Sequence, residues 1–79
     1  MVTDQAYALS KLFRDLPVPI TEVARMSGLN EVTVARIRDG KKTRVSTANK
    51  LLKAMSQIYG YDLNLDNVTG INVQGINEE

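Results

Sequence analysis

Ile20-Thr-Glu-Val-Ala-Arg-Met-Ser-Gly-Leu-Asn-Glu-Val-Thr-Val-Ala-Arg-Ile-Arg-Asp39 decides how this 79-residue chain is read. The stretch predicts two short amphipathic helices joined by a tight turn. Thr21 is the expected cap of the first, with Glu22 in its positive first turn. Val23, Ala24 and Met26 supply apolar material, and Ser27-Gly28 stops the helix after about two turns. Gly28 can turn left-handed without a side-chain penalty. Leu29 is expected in the core, and Asn30 caps a second helix over residues 31–38. Val34 and Ile37 lie three apart and face inward, leaving Glu31, Val32, Thr33, Arg36 and Arg38 on the remaining face.

Upstream, residues 4–16 repeat Ala6, Leu9, Leu12, Phe13 and Leu16 at helical spacing, with Thr3 or Asp4 as cap. Pro17 and Pro19 force an extended link. Downstream, Asp39-Gly40 reads as a turn and Lys41-Lys42-Thr43-Arg44 as a basic loop. Ser46 or Thr47 is expected to cap a helix running to about Tyr59. Its buried stripe is Leu51 or Leu52, Met55, and Ile58 or Tyr59; Lys50 and Lys53 stay in solvent, and Gly60 ends it. Beyond Tyr61 the pattern changes. Leu63 and Leu65 alternate with Asp62, Asn64 and Asp66, as Ile71 and Val73 do with Asn72 and Gln74. One reading is a short hairpin or edge strand that packs on the helices or pairs with a second subunit. The other is a loosely ordered acidic tail, with its last four residues frayed. The expected fold is therefore all-α, a helix-turn-helix bundle of four to five short helices with room for a C-terminal strand or hairpin. Residues 1–60 form the domain and 61–79 a tail, read as a dimerisation strand or a flexible segment.

The composition narrows the chemistry. With 43% hydrophobic residues, one Phe, three Tyr and no Trp, the core must be mainly aliphatic. The chain has no Cys and no His, which removes disulfides, thiol and imidazole chemistry and the usual zinc ligands. No metal and no cofactor is expected. No apolar run approaches a membrane span and the first residues show no apolar signal segment, so the cytoplasm is the expected location and no membrane partner is expected. The net charge of +1 hides a division along the chain. Residues 20–60 carry eight basic and three acidic side chains, a balance of +5, whereas residues 61–79 carry four acidic and no basic ones. Basic charge thus gathers around the two-helix motif, where a polyanion contact would use it. Basic clusters this small also occur on ordinary solvated surfaces.

Two helices joined by a tight turn can lay the second in the DNA major groove while the first braces it across the backbone. Small Ala24 permits close approach of the pair. Base edges must then be met by Glu31, Val32 and Arg36. Arg36 suits a bidentate contact to guanine, Val32 a thymine methyl, and Glu31 a cytosine amine. Thr21, Asn30, Thr33, Lys42, Arg44, Ser46 and Asn49 are assigned to phosphates, with backbone amides at helix starts. Each residue also has a plainer role. Gly28 is where any helix can end, Val32 can be partly buried, Arg36 can pair with Glu31 or Asp39, and Glu31 can simply stabilise its helix N-terminus.

At these residues the chain resembles the helix-turn-helix repressors of bacteria and their phages, the lambda-repressor/Cro family and the lactose-repressor family. The likeness rests on Val23-Ala24, Gly28-Leu29, Val34 and Ile37. Residues 30–41, followed by Val45-Ser46 and an Ala54-containing helix ending near Gly60-Tyr61, are similar to the lactose-repressor headpiece. The resemblance makes Glu31, Val32 and Arg36 the base readers and Thr33 a backbone contact, and starts the core-closing helix at Val45-Ser46. Two departures stand out. A whole helix precedes the motif, as in the phage repressors, and the segment after Tyr61 lacks the Pro, basic residues and helical pattern of the lactose-repressor hinge. The resemblance spans residues 4–60 and implies a lambda-repressor-like fold; the tail lies outside it.

The expected function is a sequence-specific, double-stranded DNA-binding transcriptional regulator, a repressor occupying a palindromic operator as a homodimer. The apolar groups available for such a dimer are Tyr59, Tyr61, Leu63, Leu65, Ile71 and Val73. Rival readings are an antitoxin-like regulator that binds a protein partner through its tail, and the DNA-binding part of a larger recombinase. The ordinary N-terminus and polar ending favour a complete small protein. Catalysis is not expected, because Glu22, Glu31 and Asp39 form no evident carboxylate pair and no nucleophile–base pair is visible.

Overall fold

The computed structural model describes residues 6–73. Among them are four helices and a small parallel strand pair, in the order β1 (Tyr7–Ala8), α1 (Leu9–Arg14), α2 (Ile20–Ser27), α3 (Glu31–Arg38), α4 (Val45–Tyr59) and β2 (Val68–Thr69). The expected Thr3 or Asp4 cap and the frayed last four residues lie outside the described residues.

Helix α2 begins two residues earlier than a Thr21 cap would require. Pro19 is held extended (φ −70°, ψ 159°), and its carbonyl accepts from the N–H groups of Glu22 and Val23 at 2.9 and 3.3 Å. The chain is therefore already helical at Ile20, and Thr21 sits inside the first turn without capping it. At the other end Gly28 takes φ 77°. Its N–H reaches the Arg25 carbonyl at 3.4 Å, and the Leu29 N–H reaches Ala24 at 3.1 Å. This paired closure satisfies two carbonyls that the helix end would otherwise leave open. Asn30 then caps α3 as the sequence predicts, its Oδ1 accepting from the Thr33 N–H at 2.8 Å. Helix α3 closes in the same manner as α2: Gly40 (φ 87°) donates to Ile37 at 3.1 Å and Lys41 to Arg36 at 2.9 Å.

The core runs along α4. Ala48, Leu51, Leu52 and Met55 are almost wholly buried, and Leu51, Leu52 and Met55 form one cluster with Val23 and Ala24 of α2 and Val34 and Ile37 of α3. Burying one such Leu contributes roughly 1.5–3 kcal/mol relative to leaving it in water. Both Leu51 and Leu52 are inside, while Ile58 and Tyr59 are half-buried at the margin. Leu29 likewise packs against the core without being engulfed. Helix α4 starts at Val45, after an extended Arg44 (ψ 154°), so neither Ser46 nor Thr47 caps it.

The first and last parts of the chain depart most from the helical expectation. Residues 7 and 8 are extended, and α1 begins only at Leu9. Tyr7 pairs with Val68 and Ala8 with Thr69 in parallel register, and Tyr7 N donates to Asn67 O at 2.7 Å. Ala6, expected on the apolar stripe, is exposed. The fold is thus mostly helical, with a strand pair that joins its two ends. Among the described residues the tail makes no hairpin but supplies a strand, β2, paired with β1. The alternating run 62–66 folds into a knot of asparagines: Asn64 Oδ1 accepts from Asp66 N and Asn67 N, and Asn67 Oδ1 accepts from Asn64 N. Asn side chains compete with a strand ladder in this way, so the period-two pattern never becomes a strand. Leu63 and Val68 nonetheless enter the same core as α2, α3 and α4. Ser56 of α4 fixes the approach, accepting from the Leu63 N–H at 2.8 Å.

Candidate nucleic-acid interface

Helix α3 presents two opposed faces. Val34 and Ile37 are 0% and 1% exposed, whereas Val32 is 67% exposed. At about 100° per residue, Val32 and Arg36 fall on one ridge almost opposite the buried pair. With two-thirds of its surface in water, Val32 lies mostly outside the packed interior, against the plainer reading of it as partly buried. Arg36 is exposed, and its guanidinium has no ion-pair or hydrogen-bond partner among the described residues. Asp39 is instead engaged by Arg38, at 3.0 Å between Nε and Oδ1. Glu31 is exposed in the first turn of α3, near the positive end of the helix.

The residues assigned to phosphates divide into two groups. Lys42, Arg44, Ser46 and Asn49 are all exposed and follow one another through the α3–α4 loop into the first turns of α4. Lys41 joins them from the same loop, and Lys50 and Lys53 are exposed further along α4. Thr21, away from these in the chain, is exposed in the first turn of α2, a helix that packs directly on both α3 and α4. Asn30 is exposed but spends its Oδ1 on the cap, and Thr33 is half-buried with its N–H in that bond. Thr33 and Asn30 are therefore less free than the sequence suggests. Glu22 and Arg25 neutralise one another on the outer face of α2, Arg25 Nε donating to Glu22 Oε1 at 3.1 Å and Nη2 to Oε2. The hydrogen-bonded guanidinium holds the Glu22 carboxyl below its ordinary range.

Residues 41–44 form the expected basic loop, but it is tied into the fold at Thr43, which nothing in its reading as a basic loop signals. Thr43 is buried, and its N–H donates to the Asn72 carbonyl at 2.9 Å. Thr43 also forms a parallel bridge with Val73, and Asn72 Nδ2 donates to the Gly40 carbonyl at 3.2 Å. The only trace of this in the sequence is Thr43, a small β-branched residue inside a run of long cations.

The concavity of about 270 Å³ beside Tyr59 and that of about 640 Å³ beside Ile71 are each lined by a single carboxylate, Asp15 and Asp66 respectively. Among the described residues no group of three His, Cys, Asp or Glu is placed to hold a metal, and no helix is long and apolar enough to cross a membrane. No protein-family model, curated protein or solved structure matches this chain.

Proposed function

We propose that the chain is a sequence-specific, double-stranded DNA-binding regulator of transcription, a repressor that works by occupying its operator. In this reading α2 and α3 form a lambda-repressor-like helix-turn-helix, with α3 as the recognition helix in the major groove. The observation that carries it is the outward ridge of α3, where exposed Val32 sits one turn from an unpartnered Arg36. Arg36 is assigned to a guanine edge, Val32 to a thymine methyl, and Glu31 to a cytosine amine or to exclusion of wrong bases. Lys42, Arg44, Ser46 and Asn49 follow the phosphates, as does Thr21. Asn30 and Thr33 contribute by fixing the start of α3. One module of this size touches few base pairs, so a palindromic site and two copies of the chain belong to the same proposal.

Selection of bound duplexes from a random pool, with the mass of the complex measured on the winner, tests all of this together. A defined consensus with inverted symmetry and a mass of two chains per duplex is the expected outcome. Arg36→Ala should then cost about 1–3 kcal/mol at the selected site and relax preference at one base pair. Lys42→Ala should weaken all sequences nearly alike and lower the salt slope by about 1. If Arg36→Ala leaves the consensus untouched, α3 is not the reader.

A further inference from the structure

We infer that Asn72 is a positioning residue that sets the basic loop between α3 and α4 for the DNA backbone; this rests on the DNA-binding reading above. Left to itself, a loop carrying Lys41, Lys42 and Arg44 would be spread by its own charge, and ordering it on a duplex would cost conformational entropy. The fold fixes it beforehand. Asn72 holds it at two points, its main-chain carbonyl on the Thr43 N–H (2.9 Å) and its side-chain Nδ2 on the Gly40 carbonyl (3.2 Å).

The consequence lies in where the cations point. Thr43 is paired as a strand residue with Val73 and is buried, while its neighbours Lys42 and Arg44 are exposed. In extended backbone, side chains alternate between faces, so Lys42 and Arg44 project from the same side about 6.6 Å apart along the chain. Gly40 is also the residue that closes α3, and Arg44 the one from which α4 starts. Asn72 therefore registers the phosphate-facing pair against the end of the recognition helix and the start of α4 together. The Nδ2 bond is exposed and long, so it adds little to stability. What it sets is the path of the loop.

Amide hydrogen exchange and DNA titration on the full chain test the inference, using the duplex selected by the wild-type protein. In the unmodified chain the Thr43 amide should exchange more slowly than that of Lys42. Exchange at equal rates removes the clamp and the inference with it, whatever any variant does. Asn72→Ala should speed Thr43 exchange, keep the base preference, and weaken binding by about three- to tenfold. Lys42→Ala should cost less in the Asn72→Ala background than alone, because a cation that is no longer aimed has less to lose. Equal affinity for Asn72→Ala and wild type, or strictly additive effects with Lys42→Ala, overturns the positioning role and leaves the DNA-binding reading intact. If the wild-type chain selects no duplex, both fall.

Discussion

The α2–α3 pair and the segment 61–73 both end in the same core, yet they reach it by opposite routes. The α2–α3 pair is built almost wholly from bonds within a few residues: the Gly28 closure, the Asn30 cap and the Gly40 closure all span five positions or fewer. The segment 61–73 is held locally only at its asparagine knot. Its decisive contacts are with Tyr7 and Ala8 at one end of the described chain and Thr43 in the middle. The first region can be shaped before the rest of the molecule collapses. The second exists only once the helices are in place, because closing such long loops must come before its contacts are gained.

Removing the second region should undo the fold itself. Ending the chain at Gly60 deletes Leu63 and Val68, which are 3% and 4% exposed, and strips β1 of its partner. We expect loss of a cooperative thermal transition by circular dichroism. Leu63→Ala alone should cost about 2–5 kcal/mol, as buried Leu truncations do. A truncated chain that melts cooperatively at the wild-type temperature would return 61–79 to the status of an appended arm. The same reasoning means that this truncation cannot isolate a dimer interface, since it removes core and surface together.

What was legible in the sequence follows the same division. Gly28, Asn30 and the Val34–Ile37 spacing each act on neighbours in the chain, so the ends of α2 and α3 could be read to within two residues and the start of α4 to within two or three. The same holds for the outward ridge, because Val32 and Arg36 are placed by helical period alone. The end regions were not legible for an equally physical reason. The apolar stripe Leu9, Leu12, Phe13 and Leu16 fits a longer first helix, and nothing near Tyr7 or Ala8 signals a partner some sixty positions away. In the tail, the leucine–acid alternation has the period of a strand, but Asn64 and Asn67 turn the backbone on themselves. Thr43 sits among cations in what reads as a basic loop, whereas its environment is set by Asn72 and Val73.

A smaller effect probes the local side of the comparison. Gly28 is left-handed, and a Cβ built there would meet nothing within 4 Å. Any penalty from Gly28→Ala is therefore conformational, about 1–2 kcal/mol, with no steric part. Asn, which tolerates this conformation better, should cost less. Chemical denaturation of the two variants checks the order. Equal losses for Ala and Asn would mean that something other than the backbone angle decides this turn.

Tyr59 ties the end of α4 to α1 across 47 positions. Its hydroxyl donates to the Leu12 carbonyl, and its ring lies 5.8 Å from that of Tyr61, which in turn stacks on Tyr7 at 5.1 Å. Tyr59→Phe should cost about 0.5–1.5 kcal/mol, the net worth of one intramolecular hydrogen bond. Burial first, then the charges of Tyr61 and Asp15, push the Tyr59 hydroxyl above its ordinary value of 10.0. The folded state thus favours the neutral phenol more than the unfolded chain does. That contribution is fully present below pH 10 and is lost as pH rises through the raised folded value. The Phe variant has no such proton to lose, so its stability should fall less steeply than wild type in that alkaline window. Parallel alkaline slopes for the two proteins would show that the fold does not disfavour the Tyr59 phenolate, and equal stabilities below pH 10 would show that Tyr59 holds α1 by packing alone.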